Sequence, residues 1–171
     1  MIVQLVNMKD LTDIFNKLGK QVIKQSRSNL TRQDKNVTRK LYDSLEYELT
    51  VKDGSIQISF LMEEYGKLVD EGVNGKKVNH GAPNSFKNKM PPIQDIADWA
   101  KARNIRLRDD KGKFKKGNYK TIGFLIARSI FENGMKPSLF FTKAYNNVFD
   151  KIDKDIIESI VDDFNNTNKT K

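Results

Sequence analysis

The residues able to do chemistry gather in two stretches. The first is 63-EEYGKLVDEGVNGKK-77, with acids at Glu63, Glu64, Asp70 and Glu71, glycines at Gly66, Gly72 and Gly75, and the pair Lys76-Lys77. Glycosidase or nuclease chemistry needs carboxylates that converge on one point, with shifted pKa values or a bound metal. Read as an extended segment, 63–71 sends neighbouring acids to opposite faces. No His-x-x-x-His pair or Asp-x-Asp loop accompanies them, so the cluster reads as an acidic rim or a contact between subunits. The one histidine, His80, stands beside Gly81 in a chain without cysteine, which rules out a typical zinc site and leaves a loop residue. The glycines match neither the phosphate loop nor the dinucleotide fingerprint. The sequence therefore assigns no catalytic residue, no cofactor and no metal ligand.

The second stretch is basic. Residues 101–120 carry nine bases against two acids, and 106-RLRDDKGKFKKGNYK-120 embeds Phe114 and Tyr119 among them. Lys and Arg neutralise phosphates and an aromatic ring stacks on bases. The same residues also suit a solvated finger, or one that docks on an acidic partner. No specific nucleic-acid motif is present.

The elements that must position these residues follow from periodicity. Over 9–32, Leu11, Ile14, Phe15, Leu18 and Val22 recur at helical spacing, with Lys17, Lys20, Lys24 and Arg27 on much of the remainder. That basic side is read as a solvated face, or as one turned to nucleic acid. In 45–62, apolar and polar residues alternate on both sides of Asp53-Gly54, a two-residue hairpin signal. Pairing across that turn sets Val51 against Ile56, Leu49 against Ile58 and Tyr47 against Phe60, with every apolar side chain on one face. A lone hairpin is barely stable in water, and the first helix offers the stripe to cover it. The reading continues with a sheet strand that ends at Asp70-Glu71. Gly72 and Gly75 then release a long arm, 72–92, which orders on assembly.

Pro91-Pro92 opens a second helix that ends near Asn104. A basic finger over 106–120 follows, turning at Asp110-Lys111-Gly112. A helix over 119–133, apolar on almost every side, is expected to be the most buried, and Gly134 and Pro137 end it. The last helix runs from Thr142 to Phe164, on a stripe of Tyr145, Val148, Phe149, Ile152, Ile156 and Ile160. The fold class is α+β: a small antiparallel sheet whose β-hairpin packs on a long N-terminal helix and further helices, with long extended loops. One domain over 1–165 is expected, with a disordered tail at 166–171.

The net charge of +9 is uneven. Residues 1–40 hold nine bases and three acids, residues 41–72 two bases and eight acids. Opposite blocks on one chain suit partners of each sign, or contacts between copies. No apolar run is long enough to span a bilayer, and the start has neither the basic region nor the cleavage site of a secretion signal.

The order of elements, with 64-EYGKLVDEGVNG-75, 93-IQDIADWAKARNI-105 and 123-GFLIARSIFENGMKPSLFFTKAYNN-147, resembles the tail-completion and neck proteins of tailed bacteriophages. These are small ring-forming subunits that join the portal to the tail, and the likeness spans about residues 9–162. The resemblance implies no enzymatic activity and a place in the virion at the head–tail junction, after synthesis in the host cytoplasm. It implies a six-fold or twelve-fold homo-oligomeric ring around the DNA channel. The neighbours would be a portal or adaptor protein and tail proteins, with non-specific DNA contact and no membrane. The interface expected from charge and position comprises Tyr65, Asp70, Glu71, Gly72, Lys76 and Lys77 on the first stretch. On the finger it comprises Arg106, Arg108, Lys113, Phe114, Lys115 and Lys116. The alternative reading is a basic nucleic-acid-binding module acting through the first helix and residues 101–120.

Overall fold

The structure is a computed structural model, and it describes residues 8–52 and 55–151. The chain is of the α+β class. In order come α1 (Met8–Arg32), α2 (Lys40–Ser44), β1 (Glu46–Lys52), β2 (Ser55–Leu61), α3 (Glu64–Glu71), α4 (Ile93–Ala102), β3 (Leu107–Arg108), β4 (Phe114–Lys115), α5 (Tyr119–Asn133) and α6 (Thr142–Phe149). Two compact units share these elements, and both are discontinuous in sequence. One draws on 8–32, 44–62 and 140–151, the other on 33–43 and 63–139.

In the first unit, β1 and β2 pair antiparallel in the expected register: Tyr47 opposite Phe60, Leu49 opposite Ile58, Val51 opposite Ile56. The expected turn at Asp53-Gly54 lies outside the described residues. Alternation half-buries the Tyr47–Leu49 side and exposes Glu46, Glu48 and Thr50, but fades toward the turn, where Val51 is exposed. The hairpin lies on α1, whose Gly19 admits the Tyr47 ring and whose Asn16 Oδ1 accepts from the Tyr47 hydroxyl at 3.3 Å. Leu18, Val22 and Val148 form the core, ringed by Ile14, Phe15, Phe60, Phe141 and Phe149. Phe60 meets Phe141 edge-on with centroids 5.3 Å apart, and Tyr145 stacks on Phe149 at 4.2 Å. Such pairs add to the burial of their own area. The expected extension of the last helix to Phe164, and the tail, lie outside the described residues.

The second unit is built on α4 and α5. Both present small residues to each other: Ala97 and Ala100 are buried on α4, Gly123 and Ala127 on α5. A side chain at Gly123 would stand 2.7 Å from the Ile93 carbonyl oxygen and 2.8 Å from the Ala97 Cβ, so only glycine permits this approach. Asn118 caps α5, accepting from the Thr121 amide at 2.7 Å, and Gly134, at φ 73°, ends it.

Three expectations are corrected here. Residues 64–71 form a helix, not the end of a sheet strand. Tyr65, Leu68 and Val69 fit a helical stripe as well as an extended one, Glu, Lys and Leu favour helix, and Gly72 is a helix stop rather than a hinge. The segment after Gly72 is not released, because it is bonded along the end of α5. Nor is α5 deeply buried: Phe124 and Leu125 are 40% and 46% exposed. Its buried residues are Ile122 and the small Gly123 and Ala127, while Phe124 and Leu125 are left outside.

Candidate functional site

The first stretch folds into an ordered corner. At the end of α3, Asp70 is buried, and its backbone carbonyl accepts from the Leu139 amide at 2.9 Å. Glu71 is half-buried, and its Oε2 has no hydrogen-bond partner among the described residues. Gly72 sits at φ 76°, where a side chain would come within 2.6 Å of the Met135 carbonyl oxygen and 2.7 Å of the Pro137 nitrogen. Left-handed backbone and tight space both demand glycine there. Tyr65, on α3, is 41% exposed. Burial pushes its phenol up first, the Glu63 charge adds to this, and a hydrogen bond to the Leu41 backbone opposes it.

Beyond Gly72 the chain is stitched to α5. Val73 and Met135 exchange backbone hydrogen bonds at 2.9 and 2.8 Å, and the Lys76 and Lys77 amides donate to the carbonyls of Phe131 and Glu132. Both lysine side chains are engaged. The Lys76 ammonium lies 5.3 Å from the Phe131 ring centre, and Lys77 Nζ donates to Glu132 Oε2 at 2.7 Å. Glu132 also accepts from Arg128 Nε at 3.3 Å. The Lys77 hydrogen bond, then that of Arg128, holds its carboxyl below the usual carboxylate range. His80 Nε2 meets the Asn133 carbonyl at 2.8 Å, so the histidine is a structural tie.

Asn74 organises this loop, and sequence reasoning missed it. Its Oδ1 accepts from the His80 and Ala82 amides, and its Nδ2 donates to the Ala82 carbonyl and the Ser85 hydroxyl. Its backbone also donates to Asn84 and accepts from Phe86. An asparagine between glycines is the one signal that could have found it, since its side chain mimics backbone.

The second stretch forms the expected finger, with Leu107 opposite Lys115 and Arg108 opposite Phe114. Its turn spans Asp109 to Gly112, one residue earlier than expected. Asp109 Oδ1 accepts from the Lys111 and Lys113 amides at 3.0 and 2.8 Å, and Gly112 takes φ 77°. Leu107 leans on Gly117 on one side. On the other, Phe114 is 62% exposed and two guanidiniums flank its ring, Arg108 at 4.5 Å and Arg106 at 5.5 Å. Lys113, Lys115 and Lys116 are exposed alongside. Tyr119, placed in the finger by its sequence position, instead opens α5. None of Arg106, Arg108, Lys113, Lys115 and Lys116 forms an ion pair among the described residues.

The expected interface residues thus fall into two kinds. Asp70, Gly72, Lys76 and Lys77 hold the corner together. Arg106, Arg108 and Phe114 form a solvent-facing basic and aromatic face. Among the described residues, no group of three or more acids and histidines is placed to hold a metal ion, and no helix is long and apolar enough to cross a membrane. No protein-family model, curated protein or solved structure matches the chain.

Proposed function

We propose that this chain is a structural subunit of a phage virion, a neck or tail-completion protein that forms a six-fold or twelve-fold ring. It would join the portal or its adaptor to the tail around the DNA channel. The single observation that carries the reading is the finger. It is a two-stranded element whose outer face sets an exposed aromatic between two guanidiniums that form no ion pair among the described residues. Exposed aromatic and arginine side chains at one spot are the composition of interface anchors. The chain is of the α+β class, with a hairpin laid on a long N-terminal helix, as the sequence pattern leads one to expect. No residue is assigned a catalytic role in this reading.

The test is loss of the chain from the virus that encodes it. Filled heads and separate tails should accumulate, and added protein should join them. Normal virions made without the chain contradict the proposal.

A second reading has a specific observation in its favour. Arg106 and Arg108 around Phe114, with three exposed lysines beside them, form an electrostatic footprint suited to phosphates. On this reading the chain is a basic nucleic-acid-binding module acting through α1 and the finger. Replacing Lys113, Lys115 and Lys116 by glutamate should then abolish DNA retention at low salt.

A further inference from the structure

The finger has a counterpart on the same chain. On the outer face of β1, Glu46 and Glu48 are exposed, and neither forms an ion pair among the described residues. Leu61, directly opposite Glu46 in the hairpin register, is 41% exposed. That face sets one apolar side chain beside two carboxylates. The finger sets one apolar ring beside two guanidiniums. Residues two apart on a strand are separated by about 7 Å, the repeat of Glu46 and Glu48 on β1, and Arg106 and Arg108 are likewise two apart, just before and at the end of β3. Guanidinium and carboxylate pair in fork geometry, and each pair is stronger where an apolar contact excludes water.

We propose that the Arg106–Phe114–Arg108 face of one copy docks on the Glu46–Leu61–Glu48 face of a second copy. This inference deepens the ring reading and rests on it. Two different faces that complement each other make a head-to-tail contact, the kind that closes into rings. Nucleic acid is the weaker occupant of the finger: it would leave the acidic face unused, and that face repels phosphate.

Sedimentation velocity of the full chain at low salt tests the contact, using two exposed charge swaps. E46K/E48K alone and R106E/R108E alone should each self-associate at least tenfold more weakly than the unmodified chain. Mixing the two variants in equal amounts should restore association, because each swapped face then meets an opposite charge on the other copy. Phe114→Ala, checked for folding by circular dichroism, should weaken association without changing any charge. The contact is overturned if folded variants associate as the unmodified chain does, if the mixture fails to recover, or if the unmodified chain never associates. It is equally overturned if R106E/R108E loses DNA retention while self-association is unchanged. Ring formation on a portal is read separately, so failure of this contact and failure of the ring reading are distinguishable.

Discussion

Gly72 and Gly81 both hold left-handed backbone, at φ 76° and 70°, but their surroundings differ. A side chain at Gly81 would meet nothing within 4 Å, whereas at Gly72 it would strike the backbone of Met135 and Pro137. Gly81→Ala should therefore cost only the conformational strain, about 1–2 kcal/mol. Gly72→Ala should cost that plus about 1–3 kcal/mol of overpacking, and denaturant unfolding of the two variants reads the difference. Gly19 poses a question of sign. Alanine in a helix interior gains about 1 kcal/mol over glycine. Yet a Cβ at Gly19 would sit 2.4 Å from the Tyr47 ring, which is held between strand and helix. Displacing that ring outweighs the propensity, so Gly19→Ala should lower the unfolding midpoint, where an exposed glycine would raise it. Asn74→Ala removes four side-chain hydrogen bonds of the loop. Hydrogen exchange at His80 and Ala82 should rise by tenfold or more, because the four bonds are lost together at about 1 kcal/mol net each.

Among the elements, the hairpin was legible to the residue, because a period of two and a two-residue turn specify one register together. The span of α5 was legible, with its end marked by Gly134, but its burial was not. Apolar content predicts a buried helix, whereas packing against α4 selects the small side chains Gly123 and Ala127 for the contact and turns Phe124 and Leu125 outward. α3 was misread because eight residues are too few to separate the two periods, and helix propensity decided. The loop after it read as an arm because its glycines carry no period. The partners that pin it lie about sixty residues further on, at 131–135, where local sequence does not reach. That attachment has a pH dependence. The folded Glu132 carboxyl titrates below its unfolded value, so its contribution is present above the usual glutamate range, near pH 4.3, and is lost as pH falls through the lower folded value. Exchange at the Lys77 amide should therefore quicken only in acid below that range. Glu132→Gln should remove this dependence.

For the molecule as a whole, charge was the most informative feature of the sequence. The basic 101–120 block becomes a projecting finger and the acidic 41–72 block supplies the outer face of β1. The hairpin register already turned Glu46 and Glu48 outward, but which finger residues face outward was not legible until the Asp109 turn was in place. Lys76 and Lys77 show the reverse, since they were expected at the interface and are held by Phe131 and Glu132. A subunit held to its copies by exposed charge should dissociate as salt rises, since the Debye length falls to about 8 Å at physiological ionic strength. The most direct test of the proposed role is electron microscopy of the chain mixed with the portal complex of its own virus. The expected result is a closed ring of six or twelve copies seated between portal and tail, with each finger against a neighbouring copy. A portal–tail junction that closes without this chain would contradict it.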